Sequence, residues 1–190
     1  MTAARITISD YDPSWPRRAE AVIELVLAAS GGTVERVEHI GSTAIPGMAA
    51  RDVIDLQATV DDLDAAAAAL DASLGALGFA RRPYDHDHVP AGLLDDPERW
   101  IKRCFSRRDH PDGDVNLHLR LHGSPNERLA LLFRDWFRAH PDSVPAYAAF
   151  KRSLAAEVNG IGAYADVKDP VVDLVETIAE TWAAVTGWSP

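Results

Sequence analysis

Apolar positions along this chain switch between a helical and a strand period, and the switches mark its elements. Trp15, Ala19, Val22, Ile23, Val26 and Leu27 recur at i, i+4, i+7 and i+8. That spacing predicts a helix opened by Asp12 or Ser14 and stopped near Ala29 by Gly31-Gly32. Trp15 reads as a core residue at the helix edge rather than a base-stacking ring. Two apolar runs, 34–40 and 53–60, read as strands. Asp61-Asp62 then cap an alanine-rich helix to about Leu77, and 79–82 read as a short strand. Residues 100–107 alternate enough for another. The cleanest strand is 114–121, with Val115, Leu117, Leu119 and Leu121 on one face. Asp114, Asn116, His118, Arg120 and His122 lie on the other. So long a polar face on a central strand is costly unless it lines a cleft, so it is predicted to wall the site.

Beyond Gly123 the period is helical. Ser124-Pro125-Asn126-Glu127 opens a helix whose buried face carries Leu129, Leu132, Phe133, Trp136 and Phe137. A second helix is predicted over about 144–158. A last one is predicted over about 170–186, with Val171, Leu174, Val175, Ile178 and Trp182 inward. This order predicts an α/β (α+β) fold, a mixed sheet flanked by helices with a helical C-terminal part. No linker, repeat or low-complexity tract divides residues 1–190, so one domain is expected.

Composition narrows the class. At 190 residues the chain is long enough for a sizeable core. No apolar run approaches the roughly 18 residues of a membrane span, and the N-terminus lacks the apolar segment of a signal peptide. Cys104 is the only cysteine, which excludes an internal disulfide or a cysteine-built zinc site. A cytoplasmic location is expected. The net charge of −10 argues against an extended nucleic-acid face. Arg99, Lys102, Arg103, Arg107 and Arg108 are the main basic cluster, suited to an anionic substrate or to a solvated strand edge. Residues 83–98 form a long irregular loop, read as a lid or substrate loop. Its Asp85-His86-Asp87-His88 run reads as a solvated polar stretch rather than a closed metal site.

The chemistry concentrates in VEHIGSTAIPGMAARDVIDLQ, residues 37–57. A Gly-Ser turn lets backbone N–H groups and a hydroxyl approach a phosphate closely. An acid a dozen residues later, held on a stiff strand, can ligate a Mg²⁺ bridging the same phosphates. A plain hairpin between core strands has the same pattern. HIGSTAIPGMAARDVIDL, with YDPSWP (11–16), NLHLRLHGSPNERLALLFRDWFRAHP (116–141), AYAAFKRSLA (146–155) and YADVKDP (164–170), resembles the GrpB family. That resemblance implies a nucleotidyltransferase-like fold.

Read as an enzyme of that fold, the chain would be a Mg- or Mn-dependent nucleotidyltransferase passing a nucleotidyl or phosphoryl group from an NTP to a small-molecule acceptor. Gly41, Ser42 and Thr43 would hold the phosphates, Asp55 the metal, and Lys102 or Arg103 the developing charge. His39 and His118 would act as metal ligands or as a general base. The superfamily pattern expects an acid where Val53 stands, and a third acid on a later strand where Asn116 or His118 falls. Asp52 is one residue out of phase and would need a bulge to reach the same face. A His39–Asp55–His118 set would suit a transition metal, and so a metal-dependent hydrolase. A non-catalytic nucleotide- or metabolite-binding domain is the third reading. Arg134, Lys151 and Lys168 are read as surface or ion-pair charges, the two lysines within reach of a phosphate.

Overall fold

The computed structural model describes residues 6–190; the part of the N-terminal reading that concerns residues 1–5 lies outside the described residues. The five strands are β1 (Arg36–Ile40), β2 (Val53–Val60), β3 (Ala80–Arg82), β4 (Lys102–Arg107) and β5 (Asp114–Leu121). They form one mixed sheet in the order β1-β2-β5-β4-β3. Only β2 and β5 run parallel; every other neighbouring pair is antiparallel. The helices are α1 (Trp15–Ala29), α2 (Leu63–Ala76), α3 (Pro125–Ala139), α4 (Val144–Glu157) and α5 (Ile161–Thr186). The mixed α+β architecture expected from the pattern is the one observed.

The period-two alternation sorts the sheet into two faces. Ile54, Leu56, Ala58, Val115, Leu117 and Leu119 point to one side and pack with Trp15, Val22 and Val26 of α1 and Leu70 and Leu74 of α2. All six strand residues are essentially inaccessible to solvent. Burying side chains of this size stabilises by roughly 1.5–3 kcal/mol each, which makes this the principal core. Asp62 caps α2, accepting from the backbone N–H groups of Asp64 and Ala65 at 3.0 and 2.9 Å.

The opposite face carries Asp55, Gln57, Asn116, His118 and Arg120, and the C-terminal helices stand over it. A second core joins Leu132, Phe133, Trp136 and Phe137 of α3 to Tyr147, Ala148, Ala179 and Ala183. Ile45, Met48 and Ala49, from the loop between β1 and β2, are buried in the same core. The site loop is thereby fastened to the helical part.

α5 departs from the sequence expectation. It starts at Ile161, not near 170, and runs through Pro170. Proline removes one backbone donor and clashes with the preceding turn; packing of the residues on both sides holds the helix together across it. Of the face expected inward, Val171, Val175 and Trp182 pack against the second core, while Leu174 and Ile178 are exposed and Asp173, Ala179 and Ala183 are buried instead. Among the described residues, no helix is long and apolar enough to cross a membrane.

Candidate functional site

Between the polar face of the sheet and the C-terminal helices lies a cleft of about 430 Å³. Its floor is the register of two parallel neighbours. Asp55 on β2 stands beside Asn116 on β5, and Gln57 beside His118. Asn116 Nδ2 donates to Asp55 Oδ1 at 2.6 Å, and its own carbonyl oxygen accepts from Arg108. A neutral amide thus occupies the place beside Asp55 where a further acid was expected.

The turn at 41–44 forms one end. Gly41 has φ +69, and a Cβ there would lie 2.8 Å from Asp55 Oδ2. Backbone conformation and close approach of the carboxylate both require glycine. Residues 42–44 make a short 3-10 turn, closed by N–H donation from Ala44 to Gly41 O and from Ile45 to Ser42 O. α3 braces this turn from behind, Arg134 donating to His39 O at 3.1 Å and Arg138 to Ala44 O at 3.1 Å.

Lys151 projects from α4 into this end of the cleft. It is 3% exposed, and its Nζ donates to Ser42 Oγ at 2.7 Å and lies 5.1 Å from the Tyr147 ring centroid. No carboxylate pairs with it among the described residues. Burial, then the neighbouring Lys168, Arg152 and Arg51, push its pKa down to about 7. The surface-charge reading of Lys151 is corrected by this burial. Its sequence signal is its phase, because Val144, Tyr147, Ala148, Lys151, Leu154 and Ala155 make up the buried face of α4.

The other side of the floor is a network of charges around Asp87. Its carboxylate accepts from Lys102 Nζ at 2.5 Å, Arg120 Nε at 2.9 Å and Asn126 Nδ2 at 3.0 Å. Burial pushes this carboxyl up, but Arg120, Lys102 and His118 outweigh it and hold it well below the usual range. Lys102 therefore reaches the cleft already paired. The residue that pairs it lies in the irregular 83–98 loop, where no periodicity could single it out. His118 lines the cleft with its Nδ1 buried and unbonded. Burial, Arg120 and Lys102 drive its pKa well below that of free histidine, so the ring is neutral at pH 7.

Two site residues expected in the cleft, His39 and Arg103, do not survive the register, and Asp52 stays out of phase as expected. His39 pairs across the sheet with Leu56 and so shares the core face, opposite Asp55. Its Nε2 sits 2.9 Å from Thr43 Oγ1, and burial with Arg138 and Arg134 lowers its pKa to about 4. His39 is a brace for the turn, and a His39–Asp55–His118 metal set does not form; among the described residues no three His, Cys, Asp or Glu converge on one ion. Arg103 points to the α2 side, where it forks onto Asp64 at 2.9 and 2.7 Å, because adjacent strand residues face opposite ways. Asp52 is not brought round by a bulge: its Oδ1 accepts from Trp15 Nε1 at 2.8 Å and Arg18 at 2.6 Å. Gly41, Ser42, Thr43, Asp55, Lys102 and His118 do meet in the cleft. Thr43 presents its backbone there, since its hydroxyl is engaged by His39 and Val53 O. Arg51 and Glu176, not singled out in the sequence, line the same cleft.

Residues 5–177 match the family model described as GrpB protein. The chain belongs to the GrpB family. A crystal structure of the conserved protein GrpB from Enterococcus faecalis superposes with a TM-score of 0.73 at 24% identity. It covers 93% of this GrpB chain and 99% of that one. A UPF0157 protein of Halalkalibacterium halodurans is 32% identical, over 89% of this chain and 80% of that protein. A protein named dephospho-CoA kinase from Mycolicibacterium paratuberculosis is 39% identical over all of this chain. The chain spans about half the length of that relative.

Proposed function

We propose that this GrpB chain binds the polyphosphate of a nucleoside triphosphate at the Gly41-Ser42 turn and transfers its nucleotidyl group to a small-molecule acceptor, with the β- and γ-phosphates leaving as pyrophosphate. The observation that carries this reading is Lys151, an ammonium buried in a cleft wall without a carboxylate partner, on the hydroxyl of Ser42. An unpaired buried charge is strongly unfavourable, and an anionic ligand relieves it. Arg51 and Lys168 line the same cleft and add to its positive end. Gly41 lets the turn approach closely, and Ser42 offers a hydroxyl donor once Lys151 swings to the phosphate.

A divalent ion fits this site in a limited way. Mg²⁺ is commonly held by one or two carboxylates together with substrate phosphates, and Asp55 supplies one carboxylate, oriented by Asn116. Val53 and Asn116 at the other expected positions leave ligands for one ion and not for two. Such an ion would neutralise phosphate charge during transfer. The remaining work falls to side chains. Lys151 holds the phosphates and screens their charge. His118, a neutral ring in the same floor, would help to orient an acceptor hydroxyl or amine by accepting its hydrogen bond. Asp87 keeps Lys102 and Arg120 fixed in the floor.

The absence of the expected acid at Val53 favours a second reading, in which the cleft binds nucleotide without chemistry. This chain carries no G-x-x-x-x-G-K-[ST] loop, so the kinase named in the relative is not attributed to this half. Calorimetric titration with ATP separates the readings, on wild type, Lys151→Met and Asp55→Asn, with and without Mg²⁺. Under the transfer reading, binding needs both residues and strengthens with Mg²⁺ only when Asp55 is intact. Under the binding reading, Asp55→Asn and Mg²⁺ leave affinity unchanged, while Lys151→Met still abolishes it. Failure of the wild type to bind any triphosphate sinks both.

A further inference from the structure

Part of the cleft lining has a different chemistry from the Gly41-Ser42 turn. α5 runs along the cleft and contributes Tyr164, Lys168, Val172 and Glu176 to its wall. From Lys168 to Glu176 is eight residues, roughly 12 Å along a helix axis. That is the scale of the reach from the outer phosphates to the base of an extended nucleoside triphosphate. Leu129 and Phe133 of α3, Tyr147 of α4 and Val172 also line the cleft, as members of one apolar and aromatic cluster. A flat ring fits such a lining.

Glu176 lines the same cleft. Its Oε2 is buried and has no hydrogen-bond partner. The neighbouring acids of α5 are engaged. Asp173 accepts from His88 Nε2 at 2.7 Å and from the Ala91 N–H at 2.9 Å. Asp169 lies near both His88 and Lys168, and Glu180 pairs with Arg128. Asp169 lines the cleft too but is ion-paired, whereas Glu176 has no salt-bridge partner among the described residues. Burial, then Asp173, push its pKa up to about 7, with His88 and Lys168 opposing. The cost of this carboxyl falls when a ligand donates a hydrogen bond to it.

We propose that Glu176 reads the exocyclic amino group of the nucleobase, so that the ligand carries adenine, cytosine or guanine rather than uracil. The assignment rests on the phosphate-anchor reading above. An amino group donates to the ionised carboxylate, whereas the uracil carbonyl that replaces the cytosine amino group sets acceptor against acceptor once that carboxyl has lost its proton. A site built around one such bond rejects the analogue that lacks the donor, because the buried group is then left unpaired.

The test is calorimetric titration of the full chain at pH 8, where Glu176 is mostly ionised, with inorganic triphosphate, ATP, CTP, GTP and UTP. Wild type, Glu176→Ala and Glu176→Gln are compared, each checked by thermal melting. In wild type the amino-bearing nucleotides should bind about tenfold tighter than UTP, the worth of one such hydrogen bond. Glu176→Ala should bring them to the level of UTP and leave UTP and inorganic triphosphate unchanged. Both variants remove an unpaired buried carboxyl, so both should melt at or above the wild-type temperature. Equal binding of all four nucleotides by wild type overturns the proposal and leaves the phosphate anchor standing. So does a preference that survives Glu176→Ala. If neither inorganic triphosphate nor any nucleotide binds wild type, the anchor itself fails and this assignment falls with it.

Discussion

Lys151 ties stability and function together in one side chain. Unfolded, its ammonium titrates near 10.5; folded, near pH 7. Between those values the unfolded chain holds more protons, so stability rises with pH across that window, and the full penalty is felt below pH 7. The facing groups are Lys168, Arg152 and Arg51, which lower the pKa, and Asp55, which raises it. Lys151→Met should therefore stabilise the protein at pH 6, by about 1–3 kcal/mol, and by less at pH 9. Urea unfolding at the two pH values checks this; a loss of stability at pH 6 would show that Lys151 is not an electrostatic burden. An anion bound at Ser42 keeps the ammonium protonated, so triphosphate affinity should decline above pH 7. Glu176 has the opposite sign. Its carboxyl titrates near 7 folded against 4.5 unfolded, so stability falls as pH rises through that interval.

The start of α3 locks several elements together. Glu127, 4% exposed, accepts from Thr59 Oγ1 at 2.7 Å and from the Gly123 N–H at 2.7 Å, and pairs with Arg36 at 3.3 Å. Ser124 Oγ accepts in turn from the Glu127 N–H, a reciprocal cap. The cap is legible in Ser124-Pro125-Asn126-Glu127, but the ties to β1 and β2 depend on tertiary packing. Glu127→Ala strands three donors and should cost roughly 2–4 kcal/mol, read from the urea midpoint. A loss within a few tenths would mean that water replaces the carboxylate freely. β5 was fully legible because strict alternation has one physical meaning on a sheet. α5 was not, because Pro170 imitates a helix start and the helix in fact runs through it.

Over the whole molecule, the 83–98 loop spans from the sheet to α5. Asp87 fastens it to Lys102 and Arg120 on the floor, and His88 fastens it to Asp173 on the helix. Removing Asp87 would leave two largely buried cations without their counter-ion. Asp87→Ala should destabilise by about 3–5 kcal/mol and speed proteolysis within 83–98. Unchanged melting and cleavage would show the loop to be held by other contacts.

The sequence by itself determined the sheet and its cap-bounded helices, because hydrophobic period and capping chemistry act over a few residues. It also determined the Gly41-Ser42 turn with Asp55 behind it. Tertiary structure decided the rest through register and burial. Pairing of Ile40 with Asp55 sends His39 to the core face, and the alternation of β4 sends Arg103 to α2. Helices distant in the chain then bring Lys151 and Glu176 into the lining of one cleft. Charge becomes chemically consequential there because packing removes water and leaves no paired partner, a condition that no local pattern encodes.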